Sequence, residues 1–266
     1  YRDRLIGENP MDVGRLYEMM RRGGRYSGGT GAPTIFAITG IENALYDVVG
    51  KALGVPIYQL LGGKFRDSVR LYADCHAGET HTPEAYAEKA LAVLAEGYSA
   101  VKFDVDHAGV GKLDRYNWTV GAKEMTHVID LITATREAIG YDIDLAIDCH
   151  GQFDMPSAIT LAKAVEPLRL MWLEEPMPAE NLDALAQVRA STSTVICTGE
   201  NHYSRFHFIE MFERKAVDVI MPDFAKAGGI AEAKRIADLA DAHYVPVAPH
   251  NVSSPLGMMA ACHVLA

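Results

Sequence analysis

The chain has 266 residues, of which 49% are apolar and 23% are charged, and its formal net charge at pH 7 is −10. This negative charge argues against a general affinity for nucleic acid or anionic membranes, and no apolar stretch approaches the roughly 18 residues that span a bilayer. The four cysteines form no CxxC pair, so we expect reduced thiols and a cytoplasmic location.

The first part of the chain predicts helices separated by a glycine-rich loop. Residues 16–20 fit one short helix, and residues 35–53 carry apolar side chains at helical spacing. The glycine-rich stretch at residues 22–33 does not fit a phosphate cradle, because no strand precedes it and no Gly-Lys-Ser/Thr follows it. We therefore expect an ordinary loop there.

Two strands with a helix between them are predicted next. Residues 69–74 alternate between apolar and polar side chains, and residues 100–105 form a second candidate strand. Residues 83–95 fit the intervening helix, with Thr82 as its N-cap. A strand, a helix and a parallel strand in succession make one βα unit.

The connection after the second strand is unusually long. Residues 106–123 exceed an ordinary βα connection, and they contain Tyr116 and Trp118. We therefore expect this segment to form a lid over a site or a contact between subunits. A helix at residues 124–139 follows.

The rest of the chain repeats one pattern. Five short apolar runs each end in a residue capable of chemistry: residues 145–148 end in Asp148, 171–174 in Glu174, 195–200 in Glu200, 219–223 in Asp223 and 245–250 in His250. The intervals between these end residues, 23 to 27 residues, suit a strand, a crossover helix and the next parallel strand. Since the strands of a parallel barrel end at one mouth, we expect the five side chains to converge.

This pattern predicts seven strands, the last ending at His250. Residues 253–266 fit a helix that begins at Ser-Ser-Pro. Because a closed barrel needs eight strand elements, we expect the eighth strand to lie beyond residue 266.

Three of the strand-end acids predict a metal site. The carboxylates of Asp148, Glu174 and Glu200 would repel one another unless a cation lay between them, and oxygen ligands suit Mg²⁺. Each acid taken singly could be a solvated loop residue, but three at similar intervals favour a shared cation. Glu175 adjoins Glu174; the regular interval selects Glu174, so Glu175 would face the other way.

Two histidines are candidate acid and base groups. An Asp223 carboxylate that accepts the Nδ1–H of His250 would orient this imidazole and raise its basicity, which makes His250 a general base; a structural histidine is the alternative. His150 lies two residues beyond Asp148, so both side chains would project to one face. There His150 would act as a second acid or base, with metal ligation or a structural role as alternatives.

Lys102 faces inward on the second predicted strand, where it would bind or polarise a substrate carboxylate. A surface lysine with an apolar stem is the alternative. We expect further substrate contacts from Asp104, His76, His202 and Trp118. The other histidines have no partner that the sequence reveals and are expected to be structural: His81, His107, His127, His207, His243 and His263.

The strand-end residues together resemble the mandelate racemase subgroup of the enolase superfamily. The phrases Trp172-Leu-Glu-Glu-Pro176, Thr198-Gly-Glu200 and Ala248-Pro-His-Asn-Val-Ser-Ser-Pro255 look like that family's strand ends, and the match runs from about residue 35 to the C-terminus. The resemblance implies an α/β fold, a modified TIM barrel of the (β/α)7β type with a partial N-terminal α+β capping domain. Residues 1–68 would be part of the cap with its connecting helix, and residues 69–266 would be the barrel.

The resemblance also implies a reaction. Racemases of this family carry Lys-x-Lys on the second strand, whereas Lys102-Phe-Asp104 lacks the second base. Asp148-x-His150 resembles the acid-sugar dehydratases, such as galactonate dehydratase, in which the histidine protonates the leaving hydroxyl. We therefore predict a Mg²⁺-dependent dehydratase, with one Mg²⁺ per subunit, that converts an aldonate or aldarate into a 2-keto-3-deoxy acid.

Two alternatives remain open at this point. One is a racemase, epimerase or cycloisomerase on the same scaffold, with Asp104 or His150 as a second base. The other is a non-catalytic relative that binds a sugar acid. The resemblance further implies a homo-oligomer whose partner is a small-molecule sugar acid, with no nucleic-acid or membrane partner.

Overall fold

A computed structural model describes residues 1–23, 31–78, 80–105 and 119–266. The predicted loop at residues 22–33 and the predicted lid at residues 106–123 fall largely outside these described ranges. Both therefore stay predictions.

The described residues form two structural units. Unit 1 comprises Tyr1–Val69, Gly199–Phe212 and Ile220–Ala266, and unit 2 comprises Arg70–Thr198 and Glu213–Val219. The domain boundary predicted after residue 68 stays a prediction.

Among the described residues, four helices come first, and short strands and helices then alternate from β1 to α10. The helices are α1 (Arg2–Leu5), α2 (Val13–Gly23), α3 (Ala32–Leu53), α4 (Ile57–Leu60), α5 (Pro83–Ala95), α6 (Ala122–Ile139), α7 (Met155–Ala164), α8 (Leu182–Ala190), α9 (Ser204–Glu213), α10 (Ile230–Ala242) and α11 (Pro255–Leu265). The strands are β1 (Ala73–Asp74), β2 (Ala100–Asp104), β3 (Asp144–Asp148), β4 (Trp172–Glu174), β5 (Ile196–Thr198) and β6 (Val219–Ile220). In the described part of the chain, no helix combines the length and the apolar character needed to cross a bilayer.

The strands form one sheet in which each strand lies beside the next one along the chain, in the order β1-β2-β3-β4-β5-β6. The pairs from β1 to β5 are parallel. Their register aligns Asp104, Asp148, Glu174 and Cys197 at one level of four neighbouring strands. The α/β class predicted from the sequence is thereby confirmed.

Burial on both faces explains why these apolar runs are strands. In β2 and β3 the side chains of Val101, Phe103, Leu145, Ala146 and Ile147 have no exposed surface. A strand covered on both faces needs apolar residues at successive positions, which is the pattern of parallel sheets. Two charged side chains of these strands, Lys102 and Asp148, are buried as well and therefore need ionic partners.

Helix α5 begins where the sequence predicted. The Oγ1 of Thr82 accepts a hydrogen bond from the Ala85 N–H at 3.3 Å, and Pro83 lies in the first turn. Helix α11 begins in the same way, with the Gly257 N–H donating to Ser254 Oγ at 3.2 Å. These caps satisfy N–H groups that have no acceptor within the helix.

The first predicted strand is shorter than expected. Of residues 69–74, only Ala73 and Asp74 are in strand conformation, where they align with Val101 and Lys102 of β2. Only the part of the predicted strand that pairs with β2 is therefore a strand in the structure.

The prediction of a continuous seventh strand at residues 245–250 is wrong. Residues 245–250 form isolated parallel bridges with residues 220 and 223 instead. Pro246 and Pro249 lack the N–H groups that a ladder needs. The second bridge nevertheless sets His250 beside Asp223.

Unit 1 has an apolar core and a buried carboxylate that joins two of its helices. The core between α2 and α3 is made by Tyr17, Met20, Ile35 and Ile38. Glu42 of α3 accepts hydrogen bonds from the Ile230 N–H at 2.7 Å and the Ala231 N–H at 3.1 Å, at the start of α10. Gly229 allows this approach, because a Cβ there would lie 2.2 Å from the Glu42 Oε2.

Candidate active site

The register of β2, β3 and β4 brings one group of charged residues together in unit 2. We call Lys102, Asp104, Asp148, His150 and Glu174 the Asp148 cluster. Asp104, Asp148 and Glu174 are the last residues of their strands and lie opposite one another. Lys102 precedes Asp104 by two positions, so its side chain leaves the same face of β2.

Lys102 is the ionic partner of both buried acids in this cluster. Its Nζ lies 2.6 Å from Asp148 Oδ2 and 2.7 Å from Glu174 Oε1. Asp148 and Glu174 have no exposed surface, and Lys102 is also buried. Lys102 is therefore not a surface lysine, and its partners within the described residues are two predicted metal ligands.

Mutual attraction and burial shift the pKa values of these groups. Burial alone would lower the pKa of Lys102, but the charges of Glu174 and Asp148 outweigh it and raise that pKa. Burial would likewise raise the pKa of Asp148, yet Lys102 brings it below the ordinary value. Burial dominates for Glu174, whose pKa is raised. One ammonium thus serves two carboxyl groups, and ionisation of both would leave a negative charge that Lys102 does not offset.

His150 reaches Asp148 through a turn and not through strand alternation. Strand β3 ends at Asp148, and His150 has a φ of 45°, in the left-handed region. Its backbone N–H donates to Asp148 Oδ1 at 2.9 Å, and its Nε2 lies 3.6 Å from Asp148 Oδ2. The two side chains are close, as expected, but the expected cause of their proximity was wrong.

Asp104 adds a third acid to the cluster. Ligand atoms of Asp104, Asp148 and His150 all lie within 4.8 Å of one another, an arrangement that could hold a metal ion. Burial and the charge of Asp74 raise the pKa of Asp104. Sequence reasoning had placed Asp104 among the substrate contacts; its position at the strand end, level with Asp148, was the available signal.

Sequence reasoning missed Trp172. The indole Nε1–H donates to Glu174 Oε2 at 3.0 Å, and the ring packs edge-on against Tyr72 with centroids 5.3 Å apart. Trp172 lies two residues before Glu174 on β4, so both side chains leave one face. Glu175 has a φ of 41° and accepts a hydrogen bond from Thr198 instead.

A second group of charged residues lies in unit 1. We call Glu200, Asp223, Lys226 and His250 the His250 cluster. His250 Nδ1 is 3.0 Å from Asp223 Oδ2, and His250 Nε2 is 2.7 Å from Glu200 Oε2. A carboxylate only accepts hydrogen bonds, so the Nδ1 proton faces Asp223. This is the contact that the sequence predicted between these two residues.

The geometry of the His250 cluster favours a charged imidazole. Burial would lower the pKa of His250, but hydrogen bonds to Asp223 and Glu200 raise it to about 9. Burial would raise the pKa of Asp223, which His250 and Lys226 bring below its ordinary value. Lys226 Nζ lies 3.1 Å from the Asp223 oxygen that also contacts His250, and Asp223 Oδ1 accepts the Ala225 N–H at 2.8 Å.

The remaining predicted substrate contacts are dispersed. His76 Nδ1 accepts the Gly78 N–H at 2.9 Å in unit 2, and its ring centroid is 6.2 Å from that of Tyr86. His202 is buried in unit 1, with its ring 6.2 Å from His207. Trp118 lies outside the described residues. The substrate contacts of all these residues stay predictions.

The donor set of the Asp148 cluster fits a hard divalent cation. Asp148 and Glu174 present carboxyl oxygens, are fully buried, and when both are ionised would carry more negative charge than Lys102 neutralises. Oxygen ligands with excess negative charge suit Mg²⁺. Glu200, the third predicted ligand, belongs to unit 1, and its participation stays a prediction.

Family models match both parts of the chain. The model described as "Enolase C-terminal domain-like" matches residues 85–266, and the model described as "Mandelate racemase / muconate lactonizing enzyme, N-terminal domain" matches residues 2–62. The first of these covers well over half of the chain.

Similar proteins include named enzymes. A D-xylonate dehydratase from Haloferax volcanii is 46% identical over 98% of this chain, and a D-galactonate dehydratase from Ralstonia nicotianae is 34% identical over 98%. The chain spans 64% and 65% of their respective lengths. A solved structure of a mandelate racemase/muconate lactonizing enzyme-like protein from Rubrobacter xylanophilus is 50% identical, with a TM-score of 0.94 over 99% of this chain and 71% of that one.

Proposed function

The chain belongs to the mandelate racemase and muconate lactonizing enzyme family of the enolase superfamily, and from this we propose that the protein is a Mg²⁺-dependent dehydratase of a sugar acid. In the proposed reaction a base removes the proton α to the carboxylate, and the C3–O bond breaks as the hydroxyl leaves with an added proton. The resulting enol then becomes the ketone of a 2-keto-3-deoxy acid.

The observation that carries this proposal is the pairing of His250 with Asp223. Nδ1 faces Asp223, so Nε2 is the nitrogen proposed to take up a proton from substrate, after it has released the proton that its contact with Glu200 at 2.7 Å stabilises. A carboxylate behind an imidazole fixes its tautomer and stabilises the imidazolium that forms. His250 is therefore the proposed general base, with Asp223 positioning it.

His150 is the proposed general acid. Its side chain is 37% exposed, which leaves it accessible to a ligand, while its backbone N–H is anchored on Asp148. An imidazole that gives its proton to the departing hydroxyl makes the hydroxide a water molecule and lowers the barrier to C–O cleavage. The second strand has Asp104 where family racemases have a lysine, and Lys102 is already paired with two carboxylates.

The proposed metal ligands are Asp148, Glu174 and, from the sequence, Glu200. When bound, Mg²⁺ would act as a Lewis acid that stabilises negative charge on the substrate carboxylate as the α proton leaves. The positive charge of Lys102 in the same cluster would also favour this negative charge. The names of the relatives suggest D-xylonate, D-galactonate and D-gluconate as first substrates.

The test is a screen of the protein with Mg²⁺ against C5 and C6 aldonates and aldarates, with semicarbazide detection of 2-keto-3-deoxy acids. The screen is paired with exchange of the substrate α proton in deuterium oxide. We expect His250→Asn to lose both activities, and His150→Asn to lose dehydration by roughly 10²- to 10⁴-fold while exchange continues. His127→Asn, a substitution on α6, serves as the matched control and should retain both.

The pattern of results separates the alternatives. Exchange without loss of hydroxyl in the unmodified protein would overturn dehydration and indicate a racemase, epimerase or cycloisomerase. Binding of a sugar acid with neither exchange nor product would indicate a non-catalytic relative. Homo-oligomeric assembly and a cytoplasmic location remain part of the proposal, and sedimentation of the purified protein tests the first of them.

A further inference from the structure

We propose that Lys102 is a built-in counter-ion of the metal ligands, which holds Asp148 and Glu174 together in the metal-free protein and competes with Mg²⁺ for them. The proposal rests on the assignment of these two carboxylates as metal ligands under the proposed function. It gives Lys102 a role that does not require the substrate.

The contacts of the two carboxylates support this role. Asp148 Oδ1 accepts the His150 N–H at 2.9 Å, and Glu174 Oε2 accepts the Trp172 Nε1–H at 3.0 Å. The other oxygen of each carboxylate is bonded to Lys102 Nζ, at 2.6 and 2.7 Å. Every oxygen of this pair thus has a donor, and the ammonium joins the two side chains.

The direction of the Lys102 side chain is set by the sheet. Its neighbours on β2, Val101 and Phe103, are fully buried in the opposite direction, so strand alternation holds Lys102 on the face of the acids. The Nζ also lies 6.0 Å from the centre of the Tyr72 ring, within the range of a cation–π interaction. Strand alternation and the neighbouring ring therefore both keep Lys102 on the face that carries the acids.

Electrostatics then dictates two consequences. Without Lys102, two buried carboxylates on neighbouring strands would repel each other with no compensating charge. With Lys102, an incoming Mg²⁺ meets an ammonium that already occupies the carboxylate oxygens it would bind, and two cations repel each other as strongly as two anions do. The lysine should stabilise the metal-free protein and weaken its affinity for Mg²⁺.

The test compares Lys102→Met with Lys51→Met. Methionine keeps an unbranched apolar stem and removes the charge. Lys51 also forms an ion pair, with Asp47 at 2.6 Å, but its side chain is 76% exposed on α3, so it controls for the loss of a surface lysine. Mg²⁺ binding is measured by calorimetry, and thermal unfolding is followed with and without Mg²⁺.

For Lys102→Met we expect a lower unfolding midpoint without metal, a larger rise on adding Mg²⁺, and a Mg²⁺ dissociation constant at least about tenfold smaller than that of the unmodified protein. Lys51→Met should change none of these. A dissociation constant that is unchanged or larger in Lys102→Met would overturn the proposal.

A second variant keeps the test decisive if Lys102→Met does not fold without metal. In Lys102→Met/Asp148→Asn one of the two uncompensated charges is removed, so we expect the metal-free midpoint to recover. No recovery overturns the counter-ion role. None of these measurements uses turnover. If the variants behave as expected and the unmodified protein binds Mg²⁺ but converts no sugar acid, the proposed function is refuted and the counter-ion role of Lys102 is not.

Discussion

Glu42 allows a specific prediction about stability, because its carboxyl group is buried and accepts hydrogen bonds from the N-terminus of α10. It accepts the Ile230 N–H and the Ala231 N–H, which are among the first-turn donors of α10 that no carbonyl of the helix can satisfy. The N-cap residue, Gly229, has no side chain to do so. Substitution Glu42→Gln keeps the shape of the side chain but removes its charge and one acceptor oxygen.

The magnitude follows from the pKa. Burial raises the pKa of Glu42 from 4.5 to about 7, although the two N–H donors oppose the shift. Below pH 4.5 the carboxyl group is neutral in both the folded and the unfolded chain. The free energy of unfolding that the neutral group contributes is therefore fully present there. Between pH 4.5 and about 7 the unfolded chain ionises first, and the folded protein loses stability. A shift of this size corresponds to about 3 kcal/mol.

The assay is urea unfolding of the unmodified protein and of Glu42→Gln at several pH values from 5 to 8. At pH 5 the substitution should cost about 1–3 kcal/mol, because the amide nitrogen faces one of the two buried N–H groups and cannot accept from it. Asn43 Oδ1, at 3.1 Å from the Ile230 nitrogen, offsets part of this loss for the Ile230 N–H. The difference between the two proteins should shrink as the pH rises to 7. Glu137→Gln, an exposed position on α6, is the matched control and should show no such trend.

A difference that stays constant or grows with pH would refute this reasoning. It would mean that the two backbone donors stabilise the carboxylate by more than burial destabilises it. The unfolding slopes should be equal in the two proteins, so that changes in midpoint report stability.

Two further predictions concern the candidate site. Asp223→Asn should lower kcat for the proposed dehydration by roughly 10²- to 10⁴-fold with little change in KM, because an amide no longer fixes the Nδ1–H tautomer of His250. Steady-state kinetics would contradict this if KM alone changed. Trp172→Phe keeps the ring packed against Tyr72 but removes the donor to Glu174 Oε2, so the Mg²⁺ dissociation constant should rise by roughly tenfold or more; an unchanged value in calorimetry would show that the indole N–H does not support the ligand.

The features that could be predicted from the sequence are those decided by local pattern. Thr82 followed by Pro83 places the start of α5, because capping depends on adjacent residues. The apolar runs ending in Asp148 and Glu174 place two neighbouring strands, because period and spacing are visible in one chain. The contact of Asp223 with His250 follows from the same reasoning about neighbouring strand ends.

The features that could not be predicted depend on which partner reaches a side chain. Nothing near Lys102 in the sequence reveals that it faces Asp148 and Glu174, which are 46 and 72 residues away. His150 has a left-handed backbone in a turn that follows β3, and the sequence does not show that the strand ends at Asp148. The prediction from strand alternation therefore put the His150 imidazole near Asp148 for the wrong reason.

The register of the sheet explains why acids at successive strand ends are accompanied by a buried positive charge. Neighbouring strands are about 4.8 Å apart, so carboxylates at one level repel each other by about 3 kcal/mol at an effective dielectric constant of about 20. One ammonium, Lys102, offsets roughly one such interaction, and Glu174 still has a raised pKa. The remaining charge must be met by a proton or by a further cation. The fold that aligns Asp104, Asp148 and Glu174 thereby favours a further positive charge beside them, and Lys102 offsets only part of their negative charge.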